Sequence, residues 1–332
     1  MAKPPTGRDL AAEMCRKFPD TPSKTLGRKL YVENKERFSS LDSAYSAVRI
    51  IRGAMGKRDR DIACVPRPKG KAGWKPECPP SAAEPWLPIQ IDGPCRVLSL
   101  SDEHVPYHES KAIEAAIAWG KKFNPDVVLL NGDWADFYNI SKWERDPKMR
   151  DFRGEVETVK ESLSWLRGQY KKARIIYKMG NHEERYDKFV WNKCVELWNL
   201  EAIQLHNILD LEKFGIERVD DNPVMAGALP ILHGHELLRG AFSPVNQARG
   251  AFLRTIHSNL TGHGHRTSTH CEPDMWGKEI TCWSQGSLCD GHPRYARFPK
   301  WNWGFAGIEV AKDNQFNMHN LRISQNYNVR SA

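Results

Sequence analysis

The amino-acid sequence predicts a layered α/β sandwich preceded by a basic helical extension. From residue 93 onward, apolar runs of strand length alternate with helical segments, and two further strand candidates follow at 303–312 and 316–324. The excess of positive charge lies ahead of this region, in the first 80 residues. We therefore expect three parts: a helical extension over 1–60, a linker over 61–92, and the sandwich domain over 93–332.

Length and composition are those of a globular protein. The 332 residues suffice for two domains or for one large domain with an extension, and 40% of them are apolar against 27% charged. No apolar run approaches the ~20 residues that span a bilayer, and the N-terminus lacks the apolar core of a secretory signal. The eight cysteines include no CxxC pair, which favours reduced, packed thiols. We expect a cytoplasmic protein with no membrane partner, and the sequence makes no prediction of oligomeric state.

The uneven charge predicts a polyanionic partner for the extension. Residues 1–80 contain 18 Lys and Arg and 9 Asp and Glu, a net charge of +9, and the other residues sum to −1. Nucleic acid is the expected partner. A predicted middle helix carries Lys24, Arg28 and Lys29, which favours a DNA-binding helix-turn-helix unit. A solvated basic extension without that role is the alternative.

Helical spacing of apolar residues supports three short helices in the extension. In the middle one, Leu26, Leu30 and Val32 are expected to face inward, and Ser39 or Ser40 can cap the third. From residue 61 the composition changes to Pro, Gly and Lys, which is typical of an extended linker. The helices predicted in the sandwich domain are 108–122, 153–172, 184–199 and 243–256.

Five short polar clusters each follow an apolar run that reads as a strand. Strands that end in Asp, Asn and His at one edge of a sheet bring oxygen and imidazole ligands together, and two divalent cations can share such a place. The runs are 96–101, 126–131, 174–179, 228–232 and 259–261. The clusters are Asp102-Glu103-His104, Gly132-Asp133, Gly180-Asn181-His182-Glu183, His233-Gly234-His235 and Gly262-His263-Gly264-His265.

The five clusters resemble, in order, the motifs of the calcineurin-like metallophosphoesterase superfamily. These motifs are DxH, GD, GNHE, H and GHxH. The resemblance covers roughly residues 94–332, and segments around the last motif also resemble phosphoesterases encoded by tailed bacteriophages and prophages. It implies a four-layer αββα sandwich and a phosphoester hydrolase that uses two divalent metal ions. Manganese is the foremost expectation, with iron, zinc or nickel as alternatives, because the expected ligands include no thiolate.

The resemblance also implies the metal ligands. One cation is expected to take Asp102, His104, Asp133 and His265, and the other Asp133, Asn181, His233 and His263. Asp133 would then bridge the two. The residues alone leave His233 and His235 equally open, and the family pattern favours His233.

Three further residues are candidates for catalysis or substrate binding. A hydroxide bridging the cations is expected to attack phosphorus, while His182, next to the ligand Asn181, stabilises or protonates the leaving group. Asp136 keeps the GDxxD spacing of the phosphoprotein-phosphatase branch and is the candidate to orient His182, with a helix-capping or solvent-facing Asp as the alternative. Arg185 is a candidate to bind substrate phosphate, or else forms a surface ion pair.

The sequence leaves three hypotheses about function open, two of which differ in the substrate. The basic extension and the phage resemblance favour a phosphodiesterase or nuclease acting on DNA or RNA. The GDxxD and GNHE combination favours instead a phosphomonoesterase acting on a phosphoprotein, a nucleotide or another small phosphoester. A non-catalytic scaffold is the third hypothesis, and it is disfavoured because every expected ligand position holds a competent residue.

Overall fold

The structure, a computed structural model, describes residues 4–63, 78, 81–83, 86–142, 146, 148, 151–237, 245–293 and 299–332. Two compact units make up the chain, Met1–Ala83 and Glu84–Ala332. None of the helices in the described ranges is both long and apolar enough to cross a membrane.

The first unit contains the three predicted helices, α1 Gly7–Lys17, α2 Ser23–Glu33 and α3 Leu41–Ile51. A further helix that the sequence did not predict, α4 Lys57–Ile62, follows them. Thr6 caps α1 and Ser40 caps α3 through side-chain oxygens that accept backbone N–H groups of the first turn. The apolar faces of α1, α2 and α3 form one core, which includes Leu26 and Leu30 of α2.

Two details of the first unit and the linker differ from the sequence predictions. Val32 points to solvent, 63% exposed, because it lies on the opposite face of α2 from Leu26 and Leu30. The helices are connected by 18–22 between α1 and α2 and by 34–40 between α2 and α3, and the predicted helix-turn-helix unit stays a prediction. The predicted linker also extended too far, because Ile89–Ile91 pairs as a strand with a segment more than 130 residues away.

The second unit contains two β-sheets. Its strands are β1 Ile89–Ile91, β2 Cys95–Leu100, β3 Val127–Asn131, β4 Arg174–Lys178, β5 Ile216–Val219, β6 Val224–Ala226, β7 Leu229–Leu232, β8 Asn259–Thr261, β9 Ser268–Pro273, β10 Glu279–Ser284, β11 Gly304–Val310, β12 Phe316–Ile323 and β13 Val329–Ser331. Six of them form a sheet in the order β1-β6-β7-β8-β10-β9, and seven form a sheet in the order β13-β12-β11-β2-β3-β4-β5. The pairs β2–β3, β3–β4 and β7–β8 are parallel.

The sheets pack face to face because alternate residues of each strand point to opposite sides. Val97 of β2 and Leu129 of β3 belong to the same apolar cluster as Ile231 of β7 and Leu260 of β8. Their neighbours, such as Leu98 of β2, belong to a second cluster on the outer side of the seven-stranded sheet.

Helices cover both outer faces and complete the four-layer αββα sandwich that the sequence predicted. The helices of this unit are α5 Ser110–Phe123, α6 Phe152–Gln169, α7 Glu183–Lys193, α8 Leu205–Ile208 and α9 Gln247–Thr255. α5 and α6 pack on the seven-stranded sheet, and α9 packs with Cys282 of β10 on the other. The carboxyl ends of the central parallel strands face one edge of the sandwich, and the polar clusters follow them there.

Candidate metal centre

The loops after β2, β3, β4, β7 and β8 converge, so that both sheets contribute to one polar centre. Asp102, His104 and His265 place one ligand-type atom each within 4.8 Å of one another. Asp133, His233 and His263 form a second such group. The structure therefore brings together, in two adjacent groups, side chains that the sequence assigned to two cations.

Asp133 faces both groups. Its Oδ2 lies 3.2 Å from His233 Nε2 and 3.9 Å from His104 Nε2. On the other side, Asp102 Oδ1 lies 3.1 Å from His265 Nε2. Asp133 thus lies between the two groups, and its role as a bridging ligand stays a prediction.

The backbone is strained where it supplies these side chains. Asp102, His104, Asp133, His263 and His265 all have positive φ, between 52° and 60°. Non-glycine residues rarely adopt this region, and such strain is typical of functional sites. The backbone N–H of His263 donates to Asp102 Oδ2 (2.9 Å), and that of His182 donates to Asp133 Oδ1 (2.9 Å), so the carboxylates also hold the loops in place.

Two glycines allow the close approach of these loops. A Cβ on Gly132, which has φ of 85°, would lie 2.4 Å from His233 Nδ1. A Cβ on Gly180 would lie 2.2 Å from Asp133 Oδ1. Side chains at these positions would push the loops after β3, β4 and β7 apart.

Three of the histidines contact a neighbouring group through Nδ1, and these contacts direct the Nε2 atom of each histidine toward the centre. His233 Nδ1 donates to the carbonyl oxygen of Asn131 (2.7 Å), and His104 Nδ1 lies 2.9 Å from Asp136 Oδ1. His265 Nδ1 lies 3.8 Å from the Sγ of Cys289. Such outer partners fix the orientation of metal-binding histidines.

Unpaired atoms at the centre fit a metal site. Within the described ranges, Asp102 Oδ1, Asn181 Oδ1 and His233 Nε2 are buried and form no hydrogen bond, and each is an expected ligand atom. Asp102 Oδ1 lies 3.1 Å from His265 Nε2, and His233 Nε2 lies 3.2 Å from Asp133 Oδ2, in both cases without the alignment of a hydrogen bond. Since buried polar atoms are normally satisfied, these three atoms and the mixed oxygen and imidazole donors fit divalent cations.

The electrostatics of the centre also favour cations. Burial by itself lowers the pKa of His233, but the carboxylates of Asp133 and Asp102 outweigh it and raise the pKa to about 10. The same two carboxylates would attract a divalent ion, which would have to displace that proton.

His182 lies beside the two groups, with Asp136 behind it. Its Nδ1 lies 3.1 Å from Asp136 Oδ1 and donates to the backbone carbonyl of Asp136 (2.7 Å), while its Nε2 lies 3.9 Å from Asp133 Oδ2. Burial lowers the pKa of His182, but Asp133 and Asp136 together raise it above its ordinary value. The predicted contact between Asp136 and His182 is present, and Asp136 also contacts His104, which the sequence did not predict.

Comparison with known proteins identifies the family of this chain. The model of the calcineurin-like phosphoesterase family matches residues 95–282, more than half of the chain. The chain belongs to this family. Together with the Asp and His cluster, membership makes the protein a metal-dependent phosphoesterase whose donor set fits a dinuclear divalent centre.

Curated relatives of the phosphoesterase come from mycobacteriophages, in agreement with the phage resemblance. The Gene 54 protein of Mycobacterium phage L5 is 26% identical over 228 residues, which cover 65% of this chain and 89% of the relative. The Gene 54 protein of Mycobacterium phage D29 is 24% identical over 189 residues, covering 55% and 72%.

Solved structures also resemble the phosphoesterase at low identity. Vacuolar Protein Sorting 29 from Cryptosporidium parvum is 16% identical with a TM-score of 0.37, over 71% of this chain and 96% of that one. YfcE, a phosphoesterase from E. coli, is 14% identical with a TM-score of 0.32, over 67% and 97%.

Glu183 of the phosphoesterase is a buried residue beside the centre that sequence reasoning did not single out. Its fully buried carboxylate accepts the backbone N–H groups of Asp133 (3.0 Å), Ala135 (3.0 Å) and Gly180 (2.9 Å), and the hydroxyl of Tyr177 (2.7 Å). It therefore ties the loop after β3 to the loop after β4. The only sequence signal was its place in GNHE, which does not reveal its partners.

The two histidines of the loop after β7 have different surroundings. His233 is fully buried with Nε2 in the centre, whereas His235 Nε2 lies 2.7 Å from Glu184 Oε1, away from the ligand atoms. Glu236 accepts the backbone N–H of His233 (3.1 Å) and lies 2.8 Å from the buried ammonium of Lys178. The geometry thus favours His233 as the ligand.

Arg185 lies next to His182 and helps to hold the loop after β3. Its Nη1 donates to the carbonyl oxygens of Asp136 (2.9 Å) and Phe137 (3.3 Å). The alternative of a surface ion pair does not describe these contacts, since both acceptors are backbone atoms. Contact of Arg185 with substrate stays a prediction.

Proposed function

We propose that the phosphoesterase hydrolyses phosphodiester bonds of nucleic acid, as a phosphodiesterase or nuclease. The observation that carries this choice of substrate is the net charge of +9 in residues 1–80, against −1 in the rest of the chain. A polyphosphate backbone is attracted to such a segment, because each phosphate that it neutralises releases condensed counterions. The phage origin of the relatives supports the host cytoplasm as the place of action.

Two sets of residues would hold the cations. The first would be Asp102, His104, Asp133 and His265, and the second Asp133, Asn181, His233 and His263. Manganese suits carboxylate, amide and imidazole donors, as do iron, zinc and nickel. When bound, the pair of cations supplies a nucleophile at neutral pH and offsets the charge that develops on the phosphate.

The chain itself supplies a proton donor in His182. Because Nδ1 donates to the carbonyl of Asp136, Nε2 is the nitrogen directed at the centre. Against the effect of burial, Asp133 and Asp136 raise the pKa of His182, which favours the protonated ring that a proton donor requires. As the bond between phosphorus and the leaving oxygen breaks, the Nε2 proton passes to that oxygen.

Side chains of α2 would make the contacts with nucleic acid in the first unit. Lys24 and Arg28 are exposed, and Lys29 is exposed but 2.9 Å from Glu33. We propose that these side chains contact the phosphate backbone, with base readout by a helix-turn-helix unit as the alternative.

The contact between Asp136 and His182 favours a second candidate, a phosphomonoesterase. The GDxxD spacing that places this carboxylate is the one resembling the phosphoprotein-phosphatase branch. This candidate leaves the basic unit without a role.

Parallel assays of three substrates test the choice. We expect the Mn²⁺-loaded protein to turn over bis-p-nitrophenyl phosphate and labelled DNA much faster than p-nitrophenyl phosphate. Turnover of the monoester alone would select the second candidate and exclude the first.

A further inference from the structure

A groove adjoins the metal centre at the same edge of the seven-stranded sheet. Its cavity of about 650 Å³ is lined by Met179, directly after β4, by Asp220 and Asp221, directly after β5, and by one face of α7. Glu184 of α7 belongs to the groove wall and also contacts His235, two residues from the expected ligand His233. The groove is thus a neighbour of the centre, and the proposed chemistry does not use it.

Two tryptophans line this groove, in a stretch of the chain that exposes several apolar side chains. Trp191 and Trp198 line it with their ring centroids 5.2 Å apart in an edge-to-face arrangement, and Trp191 is 49% exposed. The stretch that contains them exposes further large apolar side chains, namely Phe189, Val195, Leu197 and Leu200. Clusters of this kind on a protein surface mark interaction sites, and tryptophans often dominate the binding free energy.

The charge of the lining is acidic. Four carboxylates line the groove, those of Glu184, Asp187, Asp220 and Asp221, against the two permanent cations of Lys188 and Arg218. Arg218 lies 3.2 Å from Asp187 and 2.5 Å from Asp220, and Lys188 pairs with Glu184. The four carboxylates still outnumber the two cations, which disfavours a polyanion in the groove and favours a cationic segment.

We propose that this groove binds a segment of a partner protein that carries apolar side chains flanked by Lys or Arg. An apolar side chain of the segment would insert against Trp191 and Trp198, and its cations would face Asp221 and the neighbouring Asp220, which Arg218 contacts on its other side. The groove would then recruit a protein beside the metal centre, independently of which phosphoester the centre hydrolyses. Nucleic acid as the occupant is the competing outcome.

Fluorescence anisotropy with defined probes tests the proposal on the full-length protein. The probes are a labelled twelve-residue peptide that alternates Leu and Trp with Lys and Arg, the same peptide with Glu in place of Lys and Arg, and a twelve-nucleotide single-stranded DNA. We expect Trp191→Ala to weaken binding of the cationic peptide at least about tenfold, as for an interface tryptophan. The double variant Asp220→Asn/Asp221→Asn should weaken it as well and reduce its salt dependence.

Trp276→Ala is the matched control, because Trp276 is 84% exposed between β9 and β10, outside the groove. It should bind the peptide like the wild type, and none of these variants should change the hydrolysis of bis-p-nitrophenyl phosphate. The proposal is overturned if the cationic peptide binds Trp191→Ala and the wild type equally. It is also overturned if the Glu peptide binds as tightly as the cationic one, or if Trp191→Ala weakens DNA binding instead.

Discussion

The Oδ1 of Asp136 lies 3.1 Å from the Nδ1 of His182, and the same oxygen lies 2.9 Å from the Nδ1 of His104. One carboxylate therefore supports both the proposed proton donor and an expected metal ligand. Substituting Asp136 should affect both, which distinguishes this geometry from a carboxylate that serves His182 alone.

We expect Asp136→Asn to lower turnover about 10- to 100-fold, the usual effect of removing an outer partner. Asp136 helps to raise the pKa of His182, so its neutralisation should lower that pKa. His182 would then lose its proton at lower pH, and the alkaline decline of kcat/KM should move to lower pH. The profile is measured at saturating Mn²⁺, so that weaker metal binding through His104 does not contribute. An unshifted profile would assign Asp136 a purely structural role.

Glu183→Gln should destabilise the second unit. The amide would present N–H groups where the carboxylate accepts backbone N–H groups of Asp133, Ala135 and Gly180. Each buried donor left unsatisfied costs about 1–3 kcal/mol, so we expect a lower denaturation midpoint by urea titration and weaker Mn²⁺ binding. Glu184→Gln, at the next and partly exposed position, is the control and should destabilise less, because its carboxylate contacts the side chains of His235 and Lys188 and, within the described ranges, no buried backbone N–H group. Equal stability of the two variants would contradict the role of Glu183.

His233→Ala and His235→Ala should separate a ligand from its neighbour. His233→Ala removes an Nε2 that lies in the centre, so the purified variant should lose bound metal. His235→Ala removes a contact with Glu184 and should retain the metal content of the wild type. Elemental analysis after identical loading gives the comparison, and loss of metal in His235→Ala alone would reverse the assignment.

Charge reversal on α2 tests the proposed nucleic-acid contact. Lys24→Glu/Arg28→Glu should weaken duplex DNA binding in a mobility-shift titration. It should also reduce the salt dependence of binding, since the log–log slope changes by about 0.9 for each phosphate that the variant no longer neutralises. Lys171→Glu/Lys172→Glu, an equal charge change at exposed positions after α6, should have a smaller effect. Indistinguishable affinities of the two variants would remove the main support for nucleic acid as substrate.

The sequence predicted the layers of the fold well because its signals are local. Runs such as Val127–Asn131 are buried on both faces of a sheet, and the polar clusters directly follow them. Contacts between distant segments could not be predicted in the same way. The strand Ile89–Ile91 was assigned to a linker because its partner Val224–Ala226 lies in another part of the chain. Likewise, the partners of Glu183 and the place of Cys289 behind His265 depend on how the loops pack.

The most direct test of the two-metal account compares Asp133→Asn with His182→Ala. Asp133 Oδ2 faces both ligand groups, so its neutralisation should abolish turnover and reduce bound metal. His182 lies beside the groups and serves as the proton donor, so His182→Ala should lose activity and retain both metals. Elemental analysis of the two purified variants gives the decisive numbers. Two metals retained in Asp133→Asn, with one lost in His182→Ala, would contradict the account.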